Sequence, residues 1–432
     1  SAVKGWYQAL VRRAAAIKYQ DLDRAIENFS KAKDNSFLSE FIKLDRIVVI
    51  QKKSQQIRQE AESLSNTLQD PLLTERYKLG IRKNILVPTE DVIEKANEFL
   101  KDYMQSAEDK VKKLLEKDQL GEANKVFAKA KEIYTDVLNT EESKQRVIAI
   151  SNAIVQKLDG QAQEYAANIN KDSSKGAMEV ATMAVEMSKD KDGFTQAGQL
   201  EEIAKEAYKA ALDILFSLLC ENVASTVPTT SDADRMLREA VKLAEVAKNY
   251  ELELTKVEKV NRAAYMAAVQ AQLEMADYYK NEISNAVNPS IYGKEAESAF
   301  AVAKHTAIVA KEAQLSGFGS EDINEVVKAA YISASRTWLA MADYYKNKIS
   351  NAVNPSIYVK EAGEAFTVAK NAAIVAKEAQ SSGFGSEDIN QVVKEAYEAA
   401  LAVYETLNSK QKKYNDIIKQ IKDKIEQLSK ST

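Results

Sequence analysis

The stretch Met275–Tyr331, MADYYKNEISNAVNPSIYGKEAESAFAVAKHTAIVAKEAQLSGFGSEDINEVVKAAY, returns at Met341–Tyr397 with about ten differences and an offset of 66 residues. Self-similarity at a fixed period of tens of residues marks a stacked repeat architecture. Each unit of such an array buries its apolar face only against its neighbours. The two near-identical units are 275–340 and 341–406.

Within the unit the punctuation can be read residue by residue. Asn288-Pro289-Ser290 and Asn354-Pro355-Ser356 predict turns, because proline fixes its own φ and keeps the preceding residue out of the helical region. Gly317 and Gly383 suit the left-handed position that follows a helix, and Phe318 and Phe384 the hydrophobic contact that seals it. Ser320 and Ser386 then cap the next helix, with Glu and Asp in its first turn. Each unit is thus two antiparallel helices. The longer spans about 33 residues and the shorter about 24, or roughly 50 and 36 Å at 1.5 Å per residue.

Outward from this unit an older series appears. The pair Ala-Tyr recurs with its tyrosine at Tyr208, Tyr265, Tyr331 and Tyr397, spaced 57, 66 and 66 residues. The expected fold is all-α, an α-solenoid of antiparallel helix pairs with units of 57–66 residues. Composition agrees: the 432 residues hold only 13 Gly and 5 Pro. All five prolines fall between apolar-periodic segments, as expected where proline would break a helix.

The N-terminal third is less regular. Two short helices are expected before about residue 34, with a junction near Gln20 and Asp21. A long helix is expected from about Ser36 to Leu68 and is ended by Pro71. Leu72–Val87 reads as a short helix plus a linker. Thr89 is the expected N-cap of the next helix, which runs to about Lys117 before a break at Gly121. Thr140 starts another. At the far end Tyr414, Ile418, Ile421, Ile425 and Leu428 are spaced 4, 3, 4 and 3, a narrow heptad seam. It reads either as a capping helix over the last repeat or as a self-association coil.

The shorter helices share Ala-x3-Phe-x2-Ala, at Ala25/Phe29/Ala32, Ala123/Phe127/Ala130, Ala296/Phe300/Ala303 and Ala362/Phe366/Ala369. Spacings of 4 and 3 put all three residues on one helical face. DLDRAIENFSKAK (21–33) and QLGEANKVFAKAK resemble the second helix of a tetratricopeptide repeat. That resemblance implies a right-handed superhelix with a concave groove for peptides or protein surfaces. The sequence departs from the family in unit length, since family units have about 34 residues. The first-helix Trp-Leu-Gly-Tyr signature is missing, and Val180 and Val241 stand in the phenylalanine position. Three regions follow: 1–87, with a tetratricopeptide-like helix at 21–33; the helix-pair array 88–407; and the C-terminal helix 408–432.

No residue set commits to a chemistry. His305 is the sole histidine, its copy is Asn371, and any site needing two histidines is excluded. Cys220, beside Leu218 and Leu219, reads as core. Gly317-Phe318-Gly319 lacks the preceding strand that a phosphate loop needs. Ser188–Gln199 places Asp190, Asp192 and Gly193 at EF-hand positions but has serine and glutamine where the first and last carboxylates belong, so a solvated turn is expected. No catalytic, cofactor-binding or metal-binding residue is assigned, and the chain is not expected to be an enzyme.

With 60 basic and 64 acidic residues the net charge is −4, which gives no electrostatic case for nucleic acid or an anionic membrane. No apolar run approaches the ~18–20 residues that span a bilayer. A soluble chain is expected, with the cytoplasm slightly favoured over secretion. The candidate partner-binding residues are Tyr278, Tyr279, Lys280, Asn281 and Asn285, with their copies Tyr344, Tyr345, Lys346, Asn347 and Asn351. Adjacent tyrosines on a helix diverge by about 100°, so one of each pair packs and the other faces outward. The expected function is a non-catalytic scaffold for a protein or peptide partner. Two alternatives stand beside it: a self-assembling coat, sheath or filament subunit, with self-association through 408–432, and a membrane-associated or pore-forming helical protein.

Overall fold

The structure, a computed structural model, describes residues 2–17, 19–31, 37–67, 71–168, 173–190, 193–221, 229–411 and 414–430. Every regular element among them is helical. Two compact units are formed, one by residues 1–164 with 180–204 and the other by residues 165–179 with 205–432.

The first unit contains α1 (Ala2–Ala16), α2 (Tyr19–Ser30), α3 (Phe37–Thr67), α4 (Pro71–Ile81), α5 (Val87–Glu116) and α6 (Leu120–Ile133). The 31-residue α3 is its spine, touched by α1, α2, α4 and α5. Leu10 and Ala14 of α1 meet Ile57, Ala61 and Leu64 of α3 and Ile81 and Ile85 beyond it. Phe29 of α2 sets its edge against Phe99 and Tyr103 of α5, with ring centroids 5.2 and 5.9 Å apart. Ala25, Ala123 and Ala130 are buried beside their phenylalanines, as the small-large-small pattern requires; Ala32 lies outside the described residues.

At three places the backbone departs from the local expectation. Leu72–Val87 holds the expected short helix, α4, but no linker: α4 passes through a π-helical turn, Arg82–Leu86, straight into α5. Pro88 therefore sits within a continuous helical run. The π turn absorbs it, since the wider turn relieves the clash of the proline ring with the preceding carbonyl. Thr89 is not an N-cap. It is buried, and its Oγ1 donates back to the Ile85 carbonyl at 2.7 Å and to that of Leu86 at 3.1 Å. Nor does Gly121 break the chain. It lies in the first turn of α6, and the break falls at Asp118, which takes the left-handed conformation at φ 55°.

Further on come α7 (Glu141–Ala167), α8 (Ser173–Ser188) and α9 (Ala197–Phe216). Thr140 caps α7, accepting from the Ser143 N–H at 3.2 Å.

The second unit adds α10 (Thr230–Val246), α11 (Leu254–Ser284), α12 (Gly293–Leu315), α13 (Glu321–Ser350), α14 (Val359–Ser381), α15 (Glu387–Gln411) and α16 (Asn415–Lys430). The long helices α11, α13 and α15 pack one on the next, with α12 lodged against α11 and α13, and α14 against α13 and α15. This is the stacked helix-pair array that the period predicts. Tyr208, Tyr265, Tyr331 and Tyr397 are all buried, so the Ala-Tyr positions are equivalent core positions. On the short helices Ala296, Ala303, Ala362 and Ala369 are fully buried and let the neighbours close in, while Phe300 and Phe366 are only half-buried. Val180 is buried and Val241 half-buried.

The turn chemistry repeats faithfully. Gly317 and Gly383 take φ of 78° and 85°. The Phe318 N–H donates to the Ala313 carbonyl and the Phe384 N–H to that of Ala379, both at 2.8 Å. These are the six-to-one bonds of a Schellman end. Ser320 and Ser386 then accept from the Ile323 and Ile389 N–H groups at 3.3 Å. Helix α16 lies on α15 through buried Ile421 and Tyr414, with Lys419, Lys422, Asp423 and Glu426 turned to solvent. Such a polar outer face closes a repeat array.

Candidate protein-interaction surface

The two copies of Asn-Ala-Val-Asn-Pro-Ser-Ile-Tyr, 285–292 and 351–358, are identical and join a long helix to a short one. Asn285 and Asn351 end α11 and α13, each donating its N–H to the carbonyl four residues back. Short 3-10 turns, Pro289–Ile291 and Pro355–Ile357, follow. Pro289 and Pro355 are buried, and the turns rest on the next long helix, α13 and α15 respectively. With the prolines turned inward, the aliphatic residues on either side point away. Val287 is 99% exposed and Val353 102%; Ile291 is 70% exposed and Ile357 68%. A β-branched side chain buries about 1.5–3 kcal/mol of transfer free energy when covered, and these four are left uncovered.

Tyr278, Asn281 and Asn285 continue this surface. They are spaced 3 and 4 residues apart on one face of α11, and all three are exposed, Tyr278 by 56%. Asn347 and Asn351 are exposed at the matching places on α13, where Tyr344 is half-buried.

The remaining candidates turn inward. Tyr279 is half-buried and stands edge-on to Tyr278 at 5.7 Å. Tyr345 is buried and donates its hydroxyl to Glu364 Oε2 at 2.7 Å. Burial, and then the Glu364 carboxylate, push the Tyr345 phenol far above its usual range. The copy of Glu364 is Ser298, which is why the first tyrosine pair lacks this anchor. Lys280 is half-buried and bound to Asp277 at 2.7 Å, and Lys346 is half-buried as well. Lys348, the copy of Glu282, lies over the rings of Tyr344 and Tyr358 at 5.9 and 5.4 Å and pairs with Glu361 at 3.5 Å.

Sequence reasoning therefore found the tyrosine and asparagine part of this surface and missed Val287, Ile291, Val353 and Ile357. The signal was an aliphatic residue two positions to each side of a turn proline, Val287 and Ile291 about Pro289 and Val353 and Ile357 about Pro355.

His305 is exposed. Cys220 is half-buried in a π-helical turn, not the core position expected of it. In the EF-hand-like stretch Asp190 is bound to Lys131 and Phe194 is buried against Tyr134, while Asp192 lies outside the described residues. Among the described residues no three His, Cys, Asp or Glu side chains are grouped to hold a metal ion. Among them, too, no helix is long and apolar enough to cross a membrane. An open groove of about 450 Å³ is lined by Arg238, Lys242, Glu245, Glu312 and Ser316 around Leu237, Val241 and Tyr265.

Compared with known proteins, the chain matches no protein-family model, and no curated protein matches it. Among solved structures it aligns with a circular tandem repeat protein with novel repeat topology and enhanced subunit contact surfaces. The two share 11% identity at a TM-score of 0.27, over 98% of this chain and 96% of that one. The chain is an all-α helical repeat protein on the strength of its own period and packing.

Proposed function

We propose that the chain is a non-catalytic interaction scaffold that holds a protein or peptide partner against the loop end of its second unit. The single observation that carries this is the exposed quartet Val287, Ile291, Val353 and Ile357, presented twice at one repeat's spacing. Isolated apolar residues on a surface are ordinary; the same pair uncovered in register, beside Tyr278 and four exposed asparagines, is what an interface core with a polar rim needs. Two equivalent contacts on one rigid array also favour a partner that engages both, because the second contact then forms at a high effective concentration.

The self-assembly reading has less support, since the polar outer face of α16 covers the last long helix. The membrane reading rests on the same four aliphatic residues, without a cationic face to add to them.

The test is capture from source cells with the intact chain and with a variant carrying Val287→Ser, Ile291→Ser, Val353→Ser and Ile357→Ser. These positions touch solvent, so the fold should be unaffected. Loss of one defined partner with the variant supports the scaffold. Equal capture by both chains would remove this surface from consideration, and capture of the chain itself would shift the reading to assembly.

A further inference from the structure

The small-large-small motif of the duplicated short helices runs straight into a lysine, as Phe300-Ala-Val-Ala-Lys304 on α12 and Phe366-Thr-Val-Ala-Lys370 on α14. Both rings are half-buried, and each carries its lysine on the open side. Lys304 Nζ lies 5.6 Å from the centroid of Phe300, and Lys370 Nζ 4.2 Å from that of Phe366. The negative face of a ring attracts an ammonium at this range, so both lysine heads are held in place.

Ile308 and Lys311 follow Lys304 after 4 and 7 residues, and Ile374 and Lys377 follow Lys370 at the same spacing. That spacing keeps each set on one helical face. All six side chains are exposed, Ile308 by 52% and Ile374 by 55%. Neither 304–311 nor 370–377 contains an acidic residue, although the whole chain has 64 of them and a net charge of −4. Lys304 reaches Glu378 of α14 at 3.9 Å, an open pair with both side chains well exposed. Such a pair adds little and yields readily to another carboxylate. Among the described residues Lys311, Lys370 and Lys377 join no carboxylate.

Helix α10 extends the row. Arg238 stands one period before Lys304 and is exposed. It lines the groove over Leu237, Val241 and Tyr265, with Glu312 also on its wall. Successive short helices therefore present a cation at the same place. The strip is separate from the loop end: Lys304 lies 11 residues beyond Gly293, the first residue of α12, or about 17 Å along the helix.

The chemistry of this face selects among anionic partners. A polyphosphate has no apolar atoms with which to cover Ile308 and Ile374. A helix lying in a bilayer interface needs large apolar anchors along its length, and one turn before the lysines stand Ala301 and Thr367. What fits is a segment whose carboxylates alternate with aliphatic residues. We propose that the outward faces of α12 and α14 dock an acidic protein segment, its carboxylates on Lys304, Lys311, Lys370 and Lys377 and its aliphatic side chains on Ile308 and Ile374.

The test uses the full chain and a dye-labelled synthetic peptide carrying Glu-x3-Leu-x2-Glu twice, followed by fluorescence anisotropy. Binding should weaken as salt rises, because exposed charges are screened. Exchanging the four lysines for glutamine should weaken it by about tenfold or more. Ile308→Ser with Ile374→Ser should weaken it several-fold without changing the salt dependence. All six positions face solvent, and circular dichroism confirms that the variants keep their helicity. The serine variant of Val287, Ile291, Val353 and Ile357 should bind this peptide as the native chain does, so the two surfaces are tested independently. Undiminished binding by the glutamine variant would overturn the proposal. So would equal affinity for polyglutamate, which lacks the leucines, or capture of vesicles containing phosphatidylserine with no binding of the peptide.

Discussion

Thr89 Oγ1 donates to the Ile85 carbonyl at 2.7 Å, one turn back in a helical run that also contains Pro88. The hydroxyl also reaches the Leu86 carbonyl at 3.1 Å, so it donates to the turn that leads into Pro88. Thr89 is buried, so removing the hydroxyl while keeping the shape leaves polar groups without water. Thr89→Val should destabilise the first unit by about 1–2 kcal/mol. Urea denaturation followed by local hydrogen exchange in α5 would measure it. A neutral result would mean that the π turn alone accommodates Pro88.

Two glycines of the second unit should respond to alanine with opposite signs. Gly383 has φ of 85°, where a Cβ is strained whatever the space around it. Gly383→Ala should cost about 1–2 kcal/mol. Gly363 lies inside α14, is exposed, and a Cβ there would meet nothing within 4 Å. Gly363→Ala should stabilise by about 0.5–1 kcal/mol. Thermal unfolding of both variants checks the pair, and a loss of stability from Gly363→Ala would contradict the helix assignment.

These glycines mark what was legible in the sequence. Gly317, Gly383, Ser320, Ser386 and the Asn-Pro-Ser turns act on backbone within a few residues of themselves, so their roles can be read locally. Pro88 misled because proline reads as a boundary, and only packing of α5 against α3 reveals that the run continues. Gly121 misled because an aspartate, Asp118, took the left-handed position instead. Which tyrosine of each pair faces solvent was not legible either. In both pairs it is the first, Tyr278 and Tyr344, that is the more exposed, while the second packs toward the array, a tertiary outcome. The exposure of Val287 and Val353 follows from the seating of the turn prolines on the next long helix, a tertiary fact.

Lys129 tests how much an inter-helix ion pair adds in the first unit. Its side chain is largely buried, and it binds both Asp45 of α3 and Glu132, the latter at 2.8 Å. Burial lowers its pKa, but the hydrogen bonds to Asp45 and Glu132 outweigh that and leave it raised. A raised lysine contributes stability that is fully present below its ordinary value and is lost as pH rises through the folded one. Both carboxylates are about half-exposed, at 54% and 46%, so solvent screens most of the attraction. Lys129→Met keeps the buried stem and should cost no more than about 1 kcal/mol near neutral pH. A much larger loss of urea stability would show that Asp45 and Glu132 depend on the ammonium more than their exposure suggests.

Excision of one period is the most demanding test of the array. Removing residues 275–340 joins Glu274 to Met341 in mid-helix, one whole repeat apart, so every side chain downstream keeps its helical phase. The hybrid long helix carries the first part of α11 and the last part of α13, which are equivalent by the 66-residue offset. Its outward partner is then α15, whose buried face, Val393, Ala396, Tyr397 and Ala400, repeats that of α13. Nearest-neighbour packing predicts that the remaining interfaces do not register the loss. The shortened chain should keep the oligomeric state of the intact chain and its helicity per residue, and unfold cooperatively with a urea m-value reduced roughly in proportion to the surface removed. Circular dichroism, light scattering and urea titration read these three properties. An aggregated or non-cooperative product would show that the two copies, near-identical in sequence, are not interchangeable in packing.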